Sequence, residues 1–142
     1  MINFDLSNRV AVVTGGAQGF GFAISERFIK SGAKVIIWDI DKKATEEAIE
    51  KLNSKECSYQ LVDVTNFDEI KKSLSDIEIK YGKIDIFINN AGIAGKNTTV
   101  AEYPIEEWNK VINLNLNYSI LHLGRLSFSD FEVYQKNNHY EE

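Results

Sequence analysis

The sequence is poor in the features that mark disulfide-rich, metal-binding and membrane proteins. Cys57 is its only cysteine, which excludes an internal disulfide framework and a cysteine-rich zinc site. The net charge is −5, so no basic surface is expected for nucleic acid or anionic lipid. The longest unbroken apolar runs, Val10–Val13 and Val35–Trp38, are too short to span a bilayer. Asp5 stands where a signal peptide has lysines, and no apolar region follows it. We therefore expect a soluble, cytoplasmic protein that binds neither nucleic acid nor membrane.

Short apolar runs alternate with longer helical patterns over the first 90 residues. The runs predict four parallel strands: Val10–Thr14, Lys34–Asp39, Ser58–Val64 and Ile84–Asn89. In the helical patterns between them, Asp41 is a cap signal, and Gly32 and Gly82 are stop signals. Strands separated by helices of about ten to fifteen residues are typical of βαβ units. With right-handed crossovers, the fold class is α/β, a doubly wound parallel sheet with flanking helices.

After the fourth strand the pattern changes. Residues 91–101 are rich in glycine and threonine and predict a loop. Pro104 suits the first turn of a helix, and apolar residues at helical spacing extend that helix to Leu123, with an end near Gly124. The rest of the tail shows no period, and its last residues have the composition of a disordered segment. We therefore divide the chain into residues 1–117, the α/β part, and residues 118–142, the end of the long helix and a divergent tail.

A glycine-rich loop lies between the first strand and the first helix. Thr14 precedes it, and Gly15, Gly19 and Gly21 are its spaced glycines, with Gln18 and Phe20 between them. Backbone amides at a helix N-terminus, with no Cβ in the way, form a phosphate site. A glycine-rich turn without any ligand has the same pattern, so the loop alone does not decide between the two interpretations.

The end of the second strand favours the phosphate site. Asp39 lies 18 residues beyond Gly21, where a dinucleotide site places an acid that accepts both ribose hydroxyls. Its carboxylate would repel a 2′-phosphate, and the glycine loop contains no lysine or arginine to compensate. The predicted cofactor is therefore NAD rather than NADP. The alternative role for Asp39 is a helix cap or a loop acid.

The spacing Gly-x-x-x-Gly-x-Gly resembles that of the short-chain dehydrogenase/reductase family, and further motifs follow in the family's order. Asp63-Val64 matches the family's adenine position after the third strand. Asn89-Asn90-Ala91-Gly92 matches the motif after the fourth strand, and residues 108–115 resemble the helix that carries the catalytic asparagine. The resemblance covers about residues 6 to 117. It implies a Rossmann-type sheet with strand order 3-2-1-4, incomplete at four strands. The cofactor-binding residues that it implies are Thr14, Gly15, Gln18, Gly19, Phe20, Gly21, Asp39, Ile40, Asp63, Val64, Asn90, Ala91 and Gly92.

The resemblance places the family's catalytic asparagine at Asn115. Asn113, Asn115 and Asn117 are two residues apart, so they point in different directions around a helix and cannot all serve one site. Asn115 shares a face with Val111 and Ile112 and is expected to point inward, whereas the other two asparagines are expected at the surface. Neither histidine has a partner at metal-ligand spacing, so no metal is expected.

The family's proton-transfer pair is missing from the sequence. Family members reduce a carbonyl or oxidise an alcohol with a Tyr-x-x-x-Lys pair and a serine, yet none of the six tyrosines has a lysine four residues later. Ser127 and Tyr140 have about the family's separation, but Glu141 and Glu142 would raise the phenol pKa, which opposes the chemistry. We therefore expect a truncated or frame-shifted copy that does not turn over.

Three functions remain open at this stage. The first is an NAD-dependent oxidoreductase of the family, acting in full-length relatives on a small alcohol or ketone. The second is a non-catalytic NAD-binding module, and the third is a partner-binding fragment, for example a homo-oligomer formed through the helix at residues 104–123. If the fourth strand lies at an open edge, its isoleucines (Ile84, Ile86 and Ile88) favour aggregation or pairing with another chain.

Overall fold

A computed structural model describes residues 4–118. They divide into two units, residues 4–92 and residues 93–118. The first unit contains a parallel sheet and three helices. Its elements are β1 (Val10–Thr14), α1 (Gly19–Lys30), β2 (Lys34–Asp39), α2 (Lys42–Leu52), β3 (Cys57–Leu61), α3 (Phe67–Tyr81) and β4 (Ile86–Ile88).

The sheet has four strands in the order β3-β2-β1-β4, and every pairing is parallel. This confirms the predicted α/β class and strand order. β1 and β2 are the two interior strands, and they match their predicted bounds because buried, continuous apolar runs carry a strong sequence signal. Among the described residues β4 pairs only with β1, and Ile86 and Ile88 pack half-buried against the core.

Helices cover both faces of the sheet. One face, with Ala11, Val13, Val35 and Ile37, packs against α1 and α2. On the other face, two β3 side chains hydrogen-bond to α3, Ser58 to the Tyr81 hydroxyl and Gln60 to a main-chain carbonyl. Alternation of side chains along each strand separates the two sets. The sheet is therefore doubly wound, and its interior strands are enclosed.

The helix ends follow the sequence signals. Asp41 caps α2 by accepting the amide of Ala44 at 3.0 Å, as predicted. Gly82 ends α3 with a φ of +75°, and Gly32 follows the end of α1 with a φ of +93°. The three turns that position the strands are thus specified locally.

Two strands are shorter than predicted. β3 ends at Leu61 rather than Val64, because the carboxylate of Asp63 accepts the amide of Thr65 at 2.8 Å and so forms a turn. β4 spans Ile86–Ile88 rather than the predicted Ile84–Asn89. It starts late because the side chain of Asp85 accepts the amide of Val10 at 2.8 Å in place of a main-chain carbonyl. Apolar residues continue beyond Leu61 and before Ile86, so the apolar pattern predicts longer strands than the structure has.

The second unit begins with a loop and ends in a helix. A 3₁₀ turn at Val100–Glu102 interrupts the segment predicted as loop. Pro104 is the N-cap, with a ψ of 131°, so α4 (Ile105–Ile112) begins one residue after the predicted proline start. A π-helical turn, Asn113–Asn117, continues from α4. The predicted helix beyond residue 118 and the tail lie outside the described residues.

Candidate functional site

The loop between β1 and α1 is anchored to the end of β2. The amide of Gly15 donates to the carbonyl of Trp38 at 2.7 Å, and the amide of Gly16 donates to the same carbonyl at 3.4 Å. Gly15 has a φ of +60°, which a glycine adopts without strain. These bonds fix the path of the glycine loop at the carboxyl ends of the two interior strands.

Gly21 is required by a close approach between backbone segments. A Cβ built at Gly21 would overlap the carbonyl oxygen of Gly15 and lie 2.6 Å from Nδ2 of Asn90. The first turn of α1 therefore packs directly on the glycine loop and on the segment after β4. A side chain at this position would push the three segments apart.

Gly19 is required for another reason. It opens α1 with a φ of +53°, and no described atom lies within 4 Å of a Cβ built there. Gln18 is the N-cap residue and has an extended backbone, and its side chain forms no capping hydrogen bond among the described residues. The first turn of α1 contains no acidic residue. Phe20 is 85% exposed. The first amides of a 12-residue helix are thus unblocked by side chains, an arrangement that fits a phosphate group.

Asp39, the last residue of β2, lies beside the glycine loop. Its Oδ2 accepts the amide of Ala17 at 3.2 Å, and its Oδ1 accepts the amide of Asp41 at 3.1 Å. Two amides therefore hold the carboxylate, and each carboxylate oxygen has a further lone pair with which to accept a hydroxyl. The following residue, Ile40, is 72% exposed. The glycine loop and the acid, which the sequence places 18 residues apart, meet in the fold.

Thr14 and Asn90 join the glycine loop to the end of β4. The Thr14 hydroxyl donates to the carbonyl of Ile88 at 3.2 Å and accepts the amides of Asn90 and Ala91, both at 3.0 Å. Nδ2 of Asn90 donates to the carbonyls of Thr14 and Gly15, both at 3.0 Å. Thr14 is 1% exposed, and its hydroxyl holds the start of the glycine loop against the end of β4. Gly92 follows as the last residue of this unit.

Asp63 lies in the turn after β3. Its Oδ1 accepts the amide and the hydroxyl of Thr65, at 2.8 and 2.7 Å, and its own amide donates to Oε2 of Glu69 at 2.8 Å. Val64 beside it is buried. The carboxylate predicted to meet an adenine is therefore fixed in direction by its own turn.

Asn115 lies in the second unit and bonds within it. Its Nδ2 donates to the carbonyl of Ile93 at 2.9 Å, and its Oδ1 accepts the amide of Ile93 at 3.0 Å. The residue as a whole is exposed, not inward as expected, because the π-helical turn places its amide against a loop backbone. Asn113 and Asn117 are exposed as expected, and they bond to each other at 2.7 Å.

Main-chain groups that the sequence does not predict hold the site together. The carbonyl of Trp38 and the amides of Gly16 and Ala17 carry the bonds between loop and strand, and any residue type supplies such groups. The one sequence signal for these contacts is Trp38, a large apolar residue directly before Asp39. Its buried side chain fixes the backbone that follows.

Residues 4–118 contain neither a metal-binding cluster nor a membrane-spanning helix. No three histidine, cysteine, aspartate or glutamate side chains in that range are grouped so as to hold a metal ion. No helix of the same range is long and apolar enough to cross a membrane.

One protein family matches most of this chain. The profile of that family, described as short chain dehydrogenase, matches residues 9–132. The chain belongs to the short chain dehydrogenase family.

Individual members of the family are similar over most of this chain. A 3-oxoacyl-[acyl-carrier-protein] reductase of Chlamydia muridarum is 38% identical over 118 residues, which are 81% of this chain and 47% of that protein. A probable NADP-dependent mannitol dehydrogenase of Yarrowia lipolytica is 39% identical over 120 residues, 82% of this chain and 43% of that protein. The chain thus spans about half the length of the relatives that it matches.

The fold comparison agrees with the sequence comparison. A crystal structure of a 3-ketoacyl-(acyl-carrier-protein) reductase from Brucella melitensis, complexed with NADH, superposes with a TM-score of 0.80 at 30% identity. The match covers 86% of this chain and 50% of that one. The parallel sheet of this chain is therefore the Rossmann-type sheet of its family.

Proposed function

We propose that this chain binds NAD at the glycine loop and belongs to an oxidoreductase that transfers a hydride between nicotinamide and a small alcohol or ketone. One arrangement carries the proposal. The uncapped start of α1, open at Gly19, adjoins a carboxylate whose Oδ2 lies 3.2 Å from the Ala17 amide in the same loop. A pyrophosphate and the adjoining ribose need these two features side by side.

The other predicted residues extend this site. The amides of Gln18, Gly19, Phe20 and Gly21 would hold the pyrophosphate, and Asp39 with Ile40 would hold the adenosine ribose. Asp63 and Val64 would contact the adenine, and Asn90, Ala91 and Gly92 would line the far side. The bound dinucleotide supplies the hydride chemistry, and the chain supplies binding, orientation and the fixed loop.

The preference for NAD over NADP rests on charge. A 2′-phosphate would lie beside the Asp39 carboxylate, and the loop from Gly15 to Gly21 carries no lysine or arginine to offset the repulsion. The carboxylate in turn forms charge-assisted hydrogen bonds to the hydroxyls of NAD, worth about 1.5–3 kcal/mol. That range corresponds to about ten- to a hundredfold in affinity.

A second function, a non-catalytic dinucleotide-binding module, is favoured by one observation. The 142 residues contain no Tyr-x-x-x-Lys, so this stretch of the family fold has no phenol poised for proton transfer. Ser127 and Tyr140 lie outside the described residues. We therefore propose that these residues by themselves bind NAD without turnover. Asn115, the one residue at a catalytic position of the family, supports the loop at Ile93.

Self-association through α4 is part of the same proposal. Ile105, Trp108 and Leu116 are exposed large apolar residues that follow one another along α4 and the π-helical turn. An apolar stripe of this kind is typical of a subunit interface. Sedimentation would show a dimer if the stripe pairs two copies. The cytoplasmic location stays a prediction from the sequence.

Binding and turnover test the proposal separately. Calorimetric titration of the 142-residue chain with NAD and NADP is expected to show saturable NAD binding and weaker NADP binding. Asp39→Ala is expected to weaken NAD by about tenfold or more and to narrow the gap to NADP. Asp76→Ala removes an exposed acid from α3 and is the matched control, expected to bind normally.

Gly19→Val tests the loop itself. A side chain at this position fills the open space above the first helical turn, so NAD binding is expected to be lost. Normal NAD binding by this variant, or no uptake by the folded parent chain at millimolar NAD, would refute the site. Nicotinamide reduction with a panel of alcohols separates the enzyme from the non-catalytic module.

A further inference from the structure

The indole of Trp38 is held in the core by a single polar partner among the described residues. The side chain is fully buried, so its N–H needs an acceptor inside the protein. Oε1 of Gln60 accepts the indole N–H at 2.8 Å. Gln60 is the residue of β3 that faces Trp38 in the β2–β3 pair. Nε2 of Gln60 donates to the carbonyl of Ser73 in α3 at 3.5 Å.

The other contacts of the ring leave it little freedom. Phe87 of β4 packs edge-on against the Trp38 ring, with centroids 5.5 Å apart and planes at 84°. The ring therefore lies between the side chains of β3 and β4 on the face covered by α3. Among the described residues, Gln60 is the one acceptor of the indole N–H.

The main chain of Trp38 joins the two halves of the proposed NAD site. Its carbonyl accepts the Gly15 amide of the glycine loop at 2.7 Å. The next residue is Asp39, whose carboxylate bridges the amides of Ala17 and Asp41. One peptide unit thus separates the buried ring from the carboxylate proposed to bind the ribose.

We propose that Gln60 is a positioning residue for Asp39. By accepting the indole N–H of Trp38, it holds the end of β2 in the orientation that lets the Asp39 carboxylate favour NAD over NADP. Loss of the acceptor leaves a buried N–H without a partner, and because the ring has little freedom of its own, the end of β2 must shift with the ring for the N–H to reach another acceptor. That movement displaces the carboxylate, although Gln60 itself touches no part of the ligand. The inference rests on the proposed NAD site and adds a residue that controls its selectivity.

The test compares dissociation constants for NAD and NADP in matched variants. Gln60→Met keeps the size of the side chain and removes the amide. The ratio of the NADP to the NAD dissociation constant is then expected to fall about three- to tenfold, since the hydrogen bonds between Asp39 and the ribose weaken steeply with misalignment. Gln60→Glu keeps an acceptor for the indole and is expected to keep the parent ratio. Tyr81→Phe removes a different bond between β3 and α3, that to Ser58, and is expected to leave the ratio unchanged.

A spectroscopic measurement follows the bond directly. In a Trp108→Phe background Trp38 is the only tryptophan, since the chain has two. Its emission maximum is expected to shift in Gln60→Met and to stay in place in Gln60→Glu. A merely structural role would lower the affinities for NAD and NADP together and leave their ratio unchanged.

The outcomes are distinguishable. An unchanged ratio in Gln60→Met, or an equal fall in Tyr81→Phe, overturns this inference and leaves the NAD site standing. Should Gln60→Met fail to fold, Trp38→Phe removes the donor instead of the acceptor. It is expected to lower the ratio likewise, and an unchanged ratio there also overturns the inference. Absence of NAD binding by the parent chain refutes the proposed function instead.

Discussion

The hydroxyl of Thr14 offers the sharpest test of how the site is assembled. Thr14→Val keeps the shape of the side chain and removes three hydrogen bonds, one donated to Ile88 and two accepted from the amides of Asn90 and Ala91. The substitution leaves both amides without their acceptor. The segment after β4 would then lose its attachment to the end of β1.

The magnitude follows from the burial of the groups involved. An orphaned buried donor costs about 1–3 kcal/mol, so two would cost about 2–6 kcal/mol. Asn90 and Ala91 are half-buried, so water reaches them in part and the lower end of the range applies, about 2–3 kcal/mol. That is a large share of a domain stability of about 5–15 kcal/mol.

Equilibrium urea denaturation measures this cost. Thr14→Ser is the matched control, because it keeps the hydroxyl and loses one methyl group, at about 1 kcal/mol. Hydrogen exchange at the amides of Asn90 and Ala91 is expected to accelerate in Thr14→Val and to stay slow in Thr14→Ser. Equal unfolding midpoints for the two variants would show that the hydroxyl does not anchor the segment, and the reasoning would be wrong.

Two further predictions concern ionisable side chains. Partial burial raises the pKa of Asp85, but hydrogen bonds from Val10, Lys83 and Arg9 outweigh it and lower the pKa from 3.8 to about 2. The resulting stabilisation is present above pH 3.8 and is lost as the pH falls towards about 2. In acid unfolding scans, Asp85→Asn is therefore expected to be less stable than the parent at neutral pH and to lose less stability over that interval. Parallel stability curves for the two proteins would contradict this. Burial raises the pKa of the Cys57 thiol to about 11, so at pH 8 it is expected to react with Ellman's reagent far more slowly than after unfolding, and equal rates would show an exposed thiol.

The interior strands and the helix ends were predictable from the sequence because their signals are local. β1 and β2 are continuous apolar runs, the pattern typical of a parallel strand that is covered on both faces. Asp41 and Gly82 end their helices through chemistry that involves neighbours a few residues away. The glycine spacing and the acid after β2 likewise predict the candidate site from residue types alone.

The edge strands and α4 were predicted less well. Asp63 and Asp85 look like strand residues in a pattern of alternating apolar positions, yet their carboxylates bind main-chain amides and stop the strands. Pro104 has the backbone of a cap rather than of a first turn. In each case a side-chain hydrogen bond or a backbone angle ends or delays the regular element. The periodicity of apolar residues contains no information about either.

The sequence by itself determined which chemistry the loop and its acid can perform, because residue type fixes charge, size and backbone freedom. Only the tertiary structure decided how these groups are held. The hydrogen bonds that Asn90 donates to Thr14, Gly15 to Trp38 and Trp38 to Gln60 join residues 76, 23 and 22 positions apart. Such contacts form only when the strands lie side by side, since the fold, not the spacing along the chain, brings their donors and acceptors within hydrogen-bond distance.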